Sequence, residues 1–250
     1  MKKILLSISL AMLTVLASAV DNKGIAFSQG GEGRFAVIQN GKPAVTLLID
    51  EQDNIGINIA LKSLQKDFEN VCGTQPEIVN NPVSGPMVIV GSLDSKYIKQ
   101  IIKAKKLDEK QLKGKTEKYI MTTVTDPMKG VSGEALVIAG SDRRGAIYGI
   151  YELSEQLGVS PWYFWADVPV EKKENVFLAK GSYTAGEPAV RYRGIFLNDE
   201  APCLTSWVKN YYGTDQGGHE FYARVFELIL RLRGNYLWPA MWGWSFYADD

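Results

Sequence analysis

ALVIAGSDRRGAIYGIYELSEQLG, residues 135–158, is the stretch of the chain that decides its fold. The first five residues are all apolar and predict a strand. Ser141 or Asp142 can then open a helix, and Gly158 can end it. The apolar residues of this helix recur at helical spacing, at Ala146, Ile150, Leu153 and Leu157. A strand followed at once by a helix is typical of an α/β fold.

The same alternation extends toward the N-terminus. In chain order we expect strands at 35–38 and 44–49, a helix opened by Asp53 or Asn54 and ended at Gly73, a strand at 86–91, a helix from Ser95 to about Lys106, and a strand at 119–124. The run 86–91 is continuously apolar, which suits a strand buried on both faces. We therefore expect one compact α/β domain over residues 20–180, with a mixed or parallel sheet.

Residues 181–190 are the predicted linker, because they are rich in turn formers and poor in bulky apolar side chains. The sequence then predicts a strand at 192–197, a polar loop to about Gly218, a helix over 219–233 and a second strand from Asn235. The apolar stripe of the helix comprises Tyr222, Val225, Phe226, Ile229 and Leu232. One strand-helix unit and a second strand match the start of a (β/α)8 barrel, here residues 191–250. Such barrels carry their working residues at the C-terminal ends of strands.

Residues 1–19 have the pattern of a signal peptide. Lys2 and Lys3 precede an apolar run, 4–16, and Ala17-Ser-Ala supplies small residues for cleavage. The run is shorter than the roughly 20 residues that a membrane-spanning helix needs. We expect an exported, soluble protein in the periplasm or the medium, without a membrane partner.

Charge and residue counts exclude several classes of function. Lys plus Arg and Asp plus Glu each total 28, and no basic stripe stands out, so nucleic acid is not an expected partner. His219 is the only histidine, and neither an HExxH pattern nor a phosphate-binding loop is present. We therefore expect no metal site and no cofactor. Cys72 and Cys203 are expected to be buried free thiols rather than a disulfide framework.

Asp199 and Glu200 are the first candidates for catalysis, and Asn198 precedes them at the end of a predicted strand. Carboxylates there can transfer protons or accept hydrogen bonds from sugar hydroxyls. Neighbouring side chains on an extended strand point to opposite faces, so the two acids need not share a pocket. The alternative is a loop acid that caps the backbone or pairs with Arg191 or Arg193, and spacing leaves both interpretations open.

Three tryptophans follow the second predicted strand. Trp238, Trp242 and Trp244 fall within seven residues, and flat indole rings suit the apolar faces of pyranose sugars. Packing beneath a barrel loop is the alternative. An earlier aromatic block, 162–165, follows a helix of the first domain and is expected to pack at the seam between domains. Arg143 and Arg144 are expected to lie on a solvated face or in an ion pair, and the alternative is a site for an anionic group at this helix start.

Three blocks of sequence, 139–170, 191–202 and 220–242, resemble glycoside hydrolase family 115, the xylan α-glucuronidases. The resemblance implies an accessory α/β domain like that of β-hexosaminidases, a (β/α)8 catalytic barrel, and further helical and β-sandwich domains. It implies inverting hydrolysis that removes α-1,2-linked glucuronic acid, often 4-O-methylated, from glucuronoxylan or its oligosaccharides. It also places Asp199 and Glu200 as catalytic candidates, with Asn198 and the three tryptophans lining the pocket.

Residues 191–250 supply about two of the eight strands of a barrel, which usually needs ~250 residues. The second carboxylate of an inverting pair is therefore expected on a later strand, and the 250-residue chain alone is expected to be inactive. Homo-oligomer formation through C-terminal domains is left open. Two other hypotheses remain: a carbohydrate-binding or docking module without activity of its own, and a β-hexosaminidase relative.

Overall fold

The computed structural model describes residues 25–198, 201–214 and 217–239. The predicted signal peptide, Asp199, Glu200, Trp242 and Trp244 lie outside these residues. The strands are β1 (Ala26–Phe27), β2 (Arg34–Gln39), β3 (Lys42–Pro43), β4 (Thr46–Ile49), β5 (Ile78–Val79), β6 (Met87–Ser92), β7 (Tyr119–Thr125), β8 (Glu134–Gly140), β9 (Val176–Ala179), β10 (Ser182–Tyr183), β11 (Gly194–Phe196) and β12 (Tyr236–Trp238). The α-helices are α1 (Ile55–Cys72), α2 (Lys96–Lys103), α3 (Arg143–Leu157), α4 (Cys203–Tyr212) and α5 (His219–Arg231), and a short 3-10 helix spans Glu109–Gln111.

The largest sheet has six strands in the order β10-β7-β8-β6-β4-β5. β5, β4, β6 and β8 run parallel, whereas β7 and β10 are antiparallel to their neighbours. Every residue of β6 is buried, because α1 and α3 contribute to the core on one face and α2 to the core on the other. The sequence prediction of a mixed sheet with a doubly buried strand is confirmed.

Helix ends follow the predicted capping residues. The Asn54 side chain accepts a hydrogen bond from the Gly56 N–H at 3.0 Å and starts α1, and Asp142 accepts one from the Gly145 N–H at 2.8 Å and starts α3. Side-chain oxygens satisfy N–H groups that a helix start leaves unpaired. Both helices end at a glycine in the left-handed region, with φ of 85° and 100°.

The predicted strands at 35–38 and 44–49 do not pair with each other. β2 belongs to a separate four-stranded sheet, β1-β9-β2-β3, while β4 lies inside the large sheet. The hairpin partner of β2 is only the two-residue β3, which ends at Pro43. Proline has no N–H to continue a ladder, and the chain passes from one sheet to the other there.

The polar loop predicted before Gly218 is wrong, because residues 203–212 form α4. This segment contains Thr, Ser, Lys and Asn, which hid its amphipathic pattern. Val208 is buried, and Leu204, Trp207 and Tyr212 pack beside it at helical spacing. Gly213 ends the helix with a φ of 74°. The prediction of two buried thiols is also wrong, because Cys203 is exposed at the start of α4 and Cys72 is half-buried.

β11 and β12 form a parallel pair, and their Ile195 and Leu237 pack against α4 and α5. The predicted strand, helix and strand of this region are therefore present, although Phe226 and Leu232 of the predicted apolar stripe are partly exposed. The (β/α)8 barrel itself stays a prediction. The predicted linker contains β10, which pairs with β7 at the edge of the large sheet, and the domain boundaries also stay predictions.

No helix within the described residues is both long enough and apolar enough to cross a bilayer.

Candidate functional site

The candidate site lies where β11 and β12 end. Phe196 is level with Trp238 in the parallel register, and the Leu197 N–H donates a hydrogen bond of 2.9 Å to the Trp238 carbonyl. The two strands therefore end at the same edge. Asn198 is exposed at that edge, and Asp199 and Glu200 follow it directly in the sequence.

The two-stranded sheet has two chemically different faces. Ile195 and Leu237 point toward the helices, whereas Phe196 and Trp238 lie on the opposite face. The rings of Phe196 and Trp238 meet edge to face with centroids 5.8 Å apart, and each residue is 53% exposed. A half-exposed indole beside a strand end presents an apolar surface and an N–H donor, the combination that suits a sugar ring.

The approach of β11 to β12 depends on Gly194. A Cβ at this position would lie 1.7 Å from the Tyr236 carbonyl oxygen. Only glycine allows the two backbones to come this close without a clash. Gly194 therefore permits the pairing that brings the two strand ends together.

The N-terminal ends of the same strands are held by a buried carboxylate. Glu117, which is 4% exposed, binds Arg193 with an Nη2–Oε2 distance of 2.6 Å and accepts a hydrogen bond of 2.9 Å from Asn235 Nδ2. Arg144 of α3 also lies 3.2 Å from Glu117. Arg193, one of the two arginines considered as a partner of Asp199 or Glu200, bonds to Glu117, and both of those acids lie outside the described residues. The prediction that Arg144 lies in an ion pair is confirmed.

Charge interactions set the pKa of Glu117. Burial is the largest influence and would raise this pKa, but hydrogen bonds from Asn235 and Arg193, and the charges of Arg193 and Arg144, outweigh it. The net effect lowers the pKa of Glu117, so the carboxylate stays ionised and can hold its cationic partners.

Three further ion pairs cross the seam, the contact surface between the N-terminal α/β region and residues 191–239. Arg231 of α5 binds Asp67 of α1, and Arg233 binds Glu152 and Glu155 of α3. Sequence reasoning did not find these pairs because their partners lie 78 to 164 residues apart. Isolated arginines and acids on helices carry no sequence signal that identifies a distant partner.

Residues 163–165 of the aromatic block contact α4 and α5, which follow the predicted linker. The ring of Trp165 lies 5.3 Å from that of Trp207 and 5.8 Å from that of Phe221, and its Nε1 donates a hydrogen bond to the Arg224 carbonyl. Beside the block is a groove of about 680 Å³ between α1, α3, α4 and α5. Its wall includes Ile59, Tyr151, Tyr211, Phe226 and Leu230.

Within the described residues, no group of three or more His, Cys, Asp or Glu side chains is arranged to hold a metal ion. His219 begins α5. The functional groups brought together at the ends of β11 and β12 are an amide, aromatic rings and, in sequence, two carboxylates. Such a set can hold a sugar and transfer a proton.

Family models match two parts of the chain. Glycosyl hydrolase family 115 matches residues 185–250, and the N-terminus of glycosyl hydrolase family 67 matches residues 39–153. The first match contains both strand ends described above. No curated protein matches the chain.

Solved structures give a closer comparison. A family GH115 4-O-methyl-α-glucuronidase with specificity for decorated arabinogalactans is 35% identical, with a TM-score of 0.69, over 83% of this chain and 26% of that one. A mutant β-hexosaminidase of Streptomyces plicatus is 13% identical, with a TM-score of 0.46, over 83% and 31%. A GH20 β-N-acetylhexosaminidase of Streptomyces coelicolor A3(2) is 13% identical, with a TM-score of 0.40, over 74% and 30%. The chain thus spans about a quarter to a third of the length of these proteins.

Proposed function

Because this chain belongs to glycoside hydrolase family 115, we propose that its protein removes glucuronic acid, often 4-O-methylated, from α-1,2 linkages on the side chains of glucuronoxylan or its oligosaccharides. The observation that carries the proposal is the likeness to a solved 4-O-methyl-α-glucuronidase, at 35% identity over 83% of the chain. The family 115 match over residues 185–250, which include the candidate carboxylates, gives further support.

The proposed reaction is a single displacement with inversion. One carboxylic acid protonates the glycosidic oxygen as the bond from C1 to that oxygen breaks. A carboxylate on the opposite side takes a proton from water while the water oxygen bonds to C1. Asp199 or Glu200 supplies one of these groups, and its partner comes from another strand of the barrel. Two carboxyl groups about 6.5–9.5 Å apart leave room for the water.

Binding of the sugar is assigned to the same edge. Asn198 can exchange hydrogen bonds with hydroxyl groups, and Trp238 can pack against the apolar face of a pyranose ring. Trp242 and Trp244 follow closely in sequence and are proposed to complete the aromatic wall. The position of Trp238 at the end of β12, level with Phe196 at the end of β11, supports this assignment.

Decorated arabinogalactan is a second candidate substrate. The most specific support is the similar solved enzyme, which is described as specific for decorated arabinogalactans. The bond broken would again join a glucuronic acid to a neutral polysaccharide, so the same catalytic groups would serve. The choice between the two polysaccharides then depends on residues that contact the main chain.

Export is part of the proposal and rests on the signal-like residues 1–19. Sequencing the N-terminus of secreted protein should give a start near Val20. A mature protein that retains Lys2 and Lys3 would contradict export by this signal.

The experiment is a substrate panel. Protein expressed from its complete reading frame is incubated with glucuronoxylan, arabinogalactan and an N-acetylhexosaminide, and the products are identified by anion-exchange chromatography. We expect uronic acid from at least one polysaccharide, and none from residues 20–250 alone. Cleavage of the hexosaminide alone would favour a hexosaminidase, while binding of a polysaccharide without cleavage would favour a binding module.

A further inference from the structure

Glu117 has a conformation that its sequence does not favour. It is a buried, charged residue with a φ of 53°, in the left-handed region that side chains rarely adopt. Its N–H donates a hydrogen bond of 2.8 Å to Asp142 Oδ2 at the start of α3. A strained position of this kind persists only when the surrounding structure enforces it, and such positions concentrate at sites with a function.

The Glu117 carboxylate contacts both strands of the candidate site at once. Arg193 immediately precedes β11, and Asn235 immediately precedes β12. One Glu117 oxygen accepts a hydrogen bond from Arg193 Nη2 at 2.6 Å, and the other accepts one from Asn235 Nδ2 at 2.9 Å. One side chain of the N-terminal region is therefore bonded to the start of each strand.

Arg193 and Asn235 are also bonded to each other. The Arg193 N–H donates to Asn235 Oδ1 at 2.9 Å, and the Asn235 N–H donates to the Arg193 carbonyl at 2.7 Å. Arg193 Nε further donates to the Arg233 carbonyl, and the Tyr148 hydroxyl donates to the Gly234 carbonyl, each at 2.8 Å. This network defines one alignment of the two strands.

Alignment matters here because the strands are short. β11 and β12 have three residues each, so their own ladder gives little resistance to slippage. A shift of one residue would move every side chain of a strand to the opposite face. Phe196 and Trp238 would then leave their shared face, and the strand ends that lead to Asn198 and beyond would no longer be level.

We propose that Glu117 is a positioning residue, which acts through Arg193 and Asn235 to hold β11 and β12 in the register that the catalytic edge requires. The proposal rests on the function proposed above for that edge, but its structural part is independent of the reaction. Glu117 lies at the opposite ends of the strands from Asn198 and Trp238, so it acts without touching substrate.

The structural part is tested by hydrogen–deuterium exchange on protein expressed from the complete reading frame. Glu117→Gln keeps the shape of the side chain and removes its charge. We expect exchange in 194–198 and 236–239 to rise roughly tenfold or more, the size of losing hydrogen bonds to a charged group. Exchange in β6 and β8 should stay as in the wild type. Unchanged exchange in both strands, or an equal rise throughout the chain, would overturn the proposal.

Glu69→Gln is the control, because it makes the same change at an exposed carboxylate of α1 that pairs with Lys66 and contacts neither strand. It should leave the exchange of β11 unchanged, and a rise equal to that of Glu117→Gln would count against a specific role. If Glu117→Gln does not fold, Asn235→Ala replaces it. That variant keeps the Glu117–Arg193 pair, so exchange should rise more in β12 than in β11. Unchanged exchange in β12 would overturn the proposal.

The functional part uses protein expressed from the complete reading frame. With activity corrected for the folded fraction, Glu117→Gln should lower kcat by roughly tenfold to a hundredfold with KM nearly unchanged, because a small displacement of catalytic groups slows the chemical step. A wild-type kcat in the variant would overturn the positioning role. If the wild type releases no uronic acid, the proposed function fails instead. The exchange result still tests whether Glu117 holds the register of β11 and β12.

Discussion

Arg231 of α5 and Asp67 of α1 form a buried ion pair, with a hydrogen bond from Nη2 to Oδ1 of 3.0 Å and an Nη1–Oδ2 distance of 2.9 Å. Their side chains are only 2% and 1% exposed. The Arg231 guanidinium also lies over the rings of Tyr151 and Tyr163, 4.6 and 5.0 Å from their centroids. The pair connects α1, which packs on the large sheet, to α5, which packs against β11 and β12.

Removing one member of this pair should be strongly destabilising. Arg231→Met leaves the Asp67 carboxylate buried without its partner, and we expect the free energy of unfolding to fall by about 3–5 kcal/mol. Urea unfolding followed by circular dichroism measures the change. Lys66→Met is the control, because Lys66 pairs with Glu69 on the exposed side of the same helix and should change stability little. Equal effects of the two variants would contradict the prediction.

The contribution of Glu117 to stability should depend on pH. Its pKa is lowered in the folded protein, so the ionised form stabilises the fold. The loss of stability caused by Glu117→Gln should be full at neutral pH. It should shrink as the pH falls below about 4.3, the ordinary pKa of a glutamic acid, and through the lower pKa of the folded state.

Urea unfolding of both proteins at several pH values measures this difference. Arg193→Met should cause a similar loss at neutral pH, and adding Glu117→Gln to it should cost less than the separate losses predict, because the two residues interact directly. A difference between wild type and Glu117→Gln that stays constant from pH 7 to pH 3 would refute the assignment.

Gly194→Ala should disrupt the pairing of β11 with β12. The added methyl group would meet the Tyr236 carbonyl oxygen at 1.7 Å, so one strand has to move. We expect a loss of about 1–3 kcal/mol or more in the stability of this region, together with faster proteolysis after residue 190. Gly31→Ala is the control, because its methyl group would have no neighbour closer than 4.0 Å. Resistance to protease equal to that of the wild type would show that the backbones are farther apart.

Trp238 is predicted to contact the substrate. In protein expressed from the complete reading frame, Trp238→Ala should weaken the binding of glucuronoxylan oligosaccharides by roughly 3- to 10-fold, the contribution of one aromatic contact. Isothermal titration calorimetry gives the dissociation constants. Trp162→Ala removes another partly exposed indole, in the aromatic block of the seam, and should bind as the wild type does. Loss of affinity in both variants, or in neither, would argue against a sugar contact at Trp238.

Local signals in the sequence accounted for much of the fold. Asn54 and Gly73 mark the ends of α1, and the run 86–91 marks the buried β6, because capping and burial leave patterns in neighbouring residues. α4 was missed because its apolar residues alternate with Thr, Ser and Asn, and only their packing against α5 shows that they share a face.

The contacts between the N-terminal α/β region and residues 191–239 could not be predicted, for a different physical reason. Glu117 and Asn235 are 118 residues apart in sequence, and each is unremarkable among its neighbours. Only the folded chain brings them together and leaves no room for water between them. Asn198 and Trp238 were selected by the rule that a (β/α)8 barrel carries its working residues at the C-terminal ends of strands, and the level register of β11 and β12 is observed. The catalytic roles of Asp199 and Glu200 stay predictions.

The most direct test of the central claim is the rate at which Asp199→Ala and Glu200→Ala release uronic acid, in protein expressed from the complete reading frame and on the polysaccharide that the wild type cleaves. If this edge carries one of the two catalytic carboxylates, at least one variant should lose roughly 10²- to 10⁴-fold in kcat while remaining folded. Wild-type rates in both variants would contradict the claim that the active site includes the end of β11.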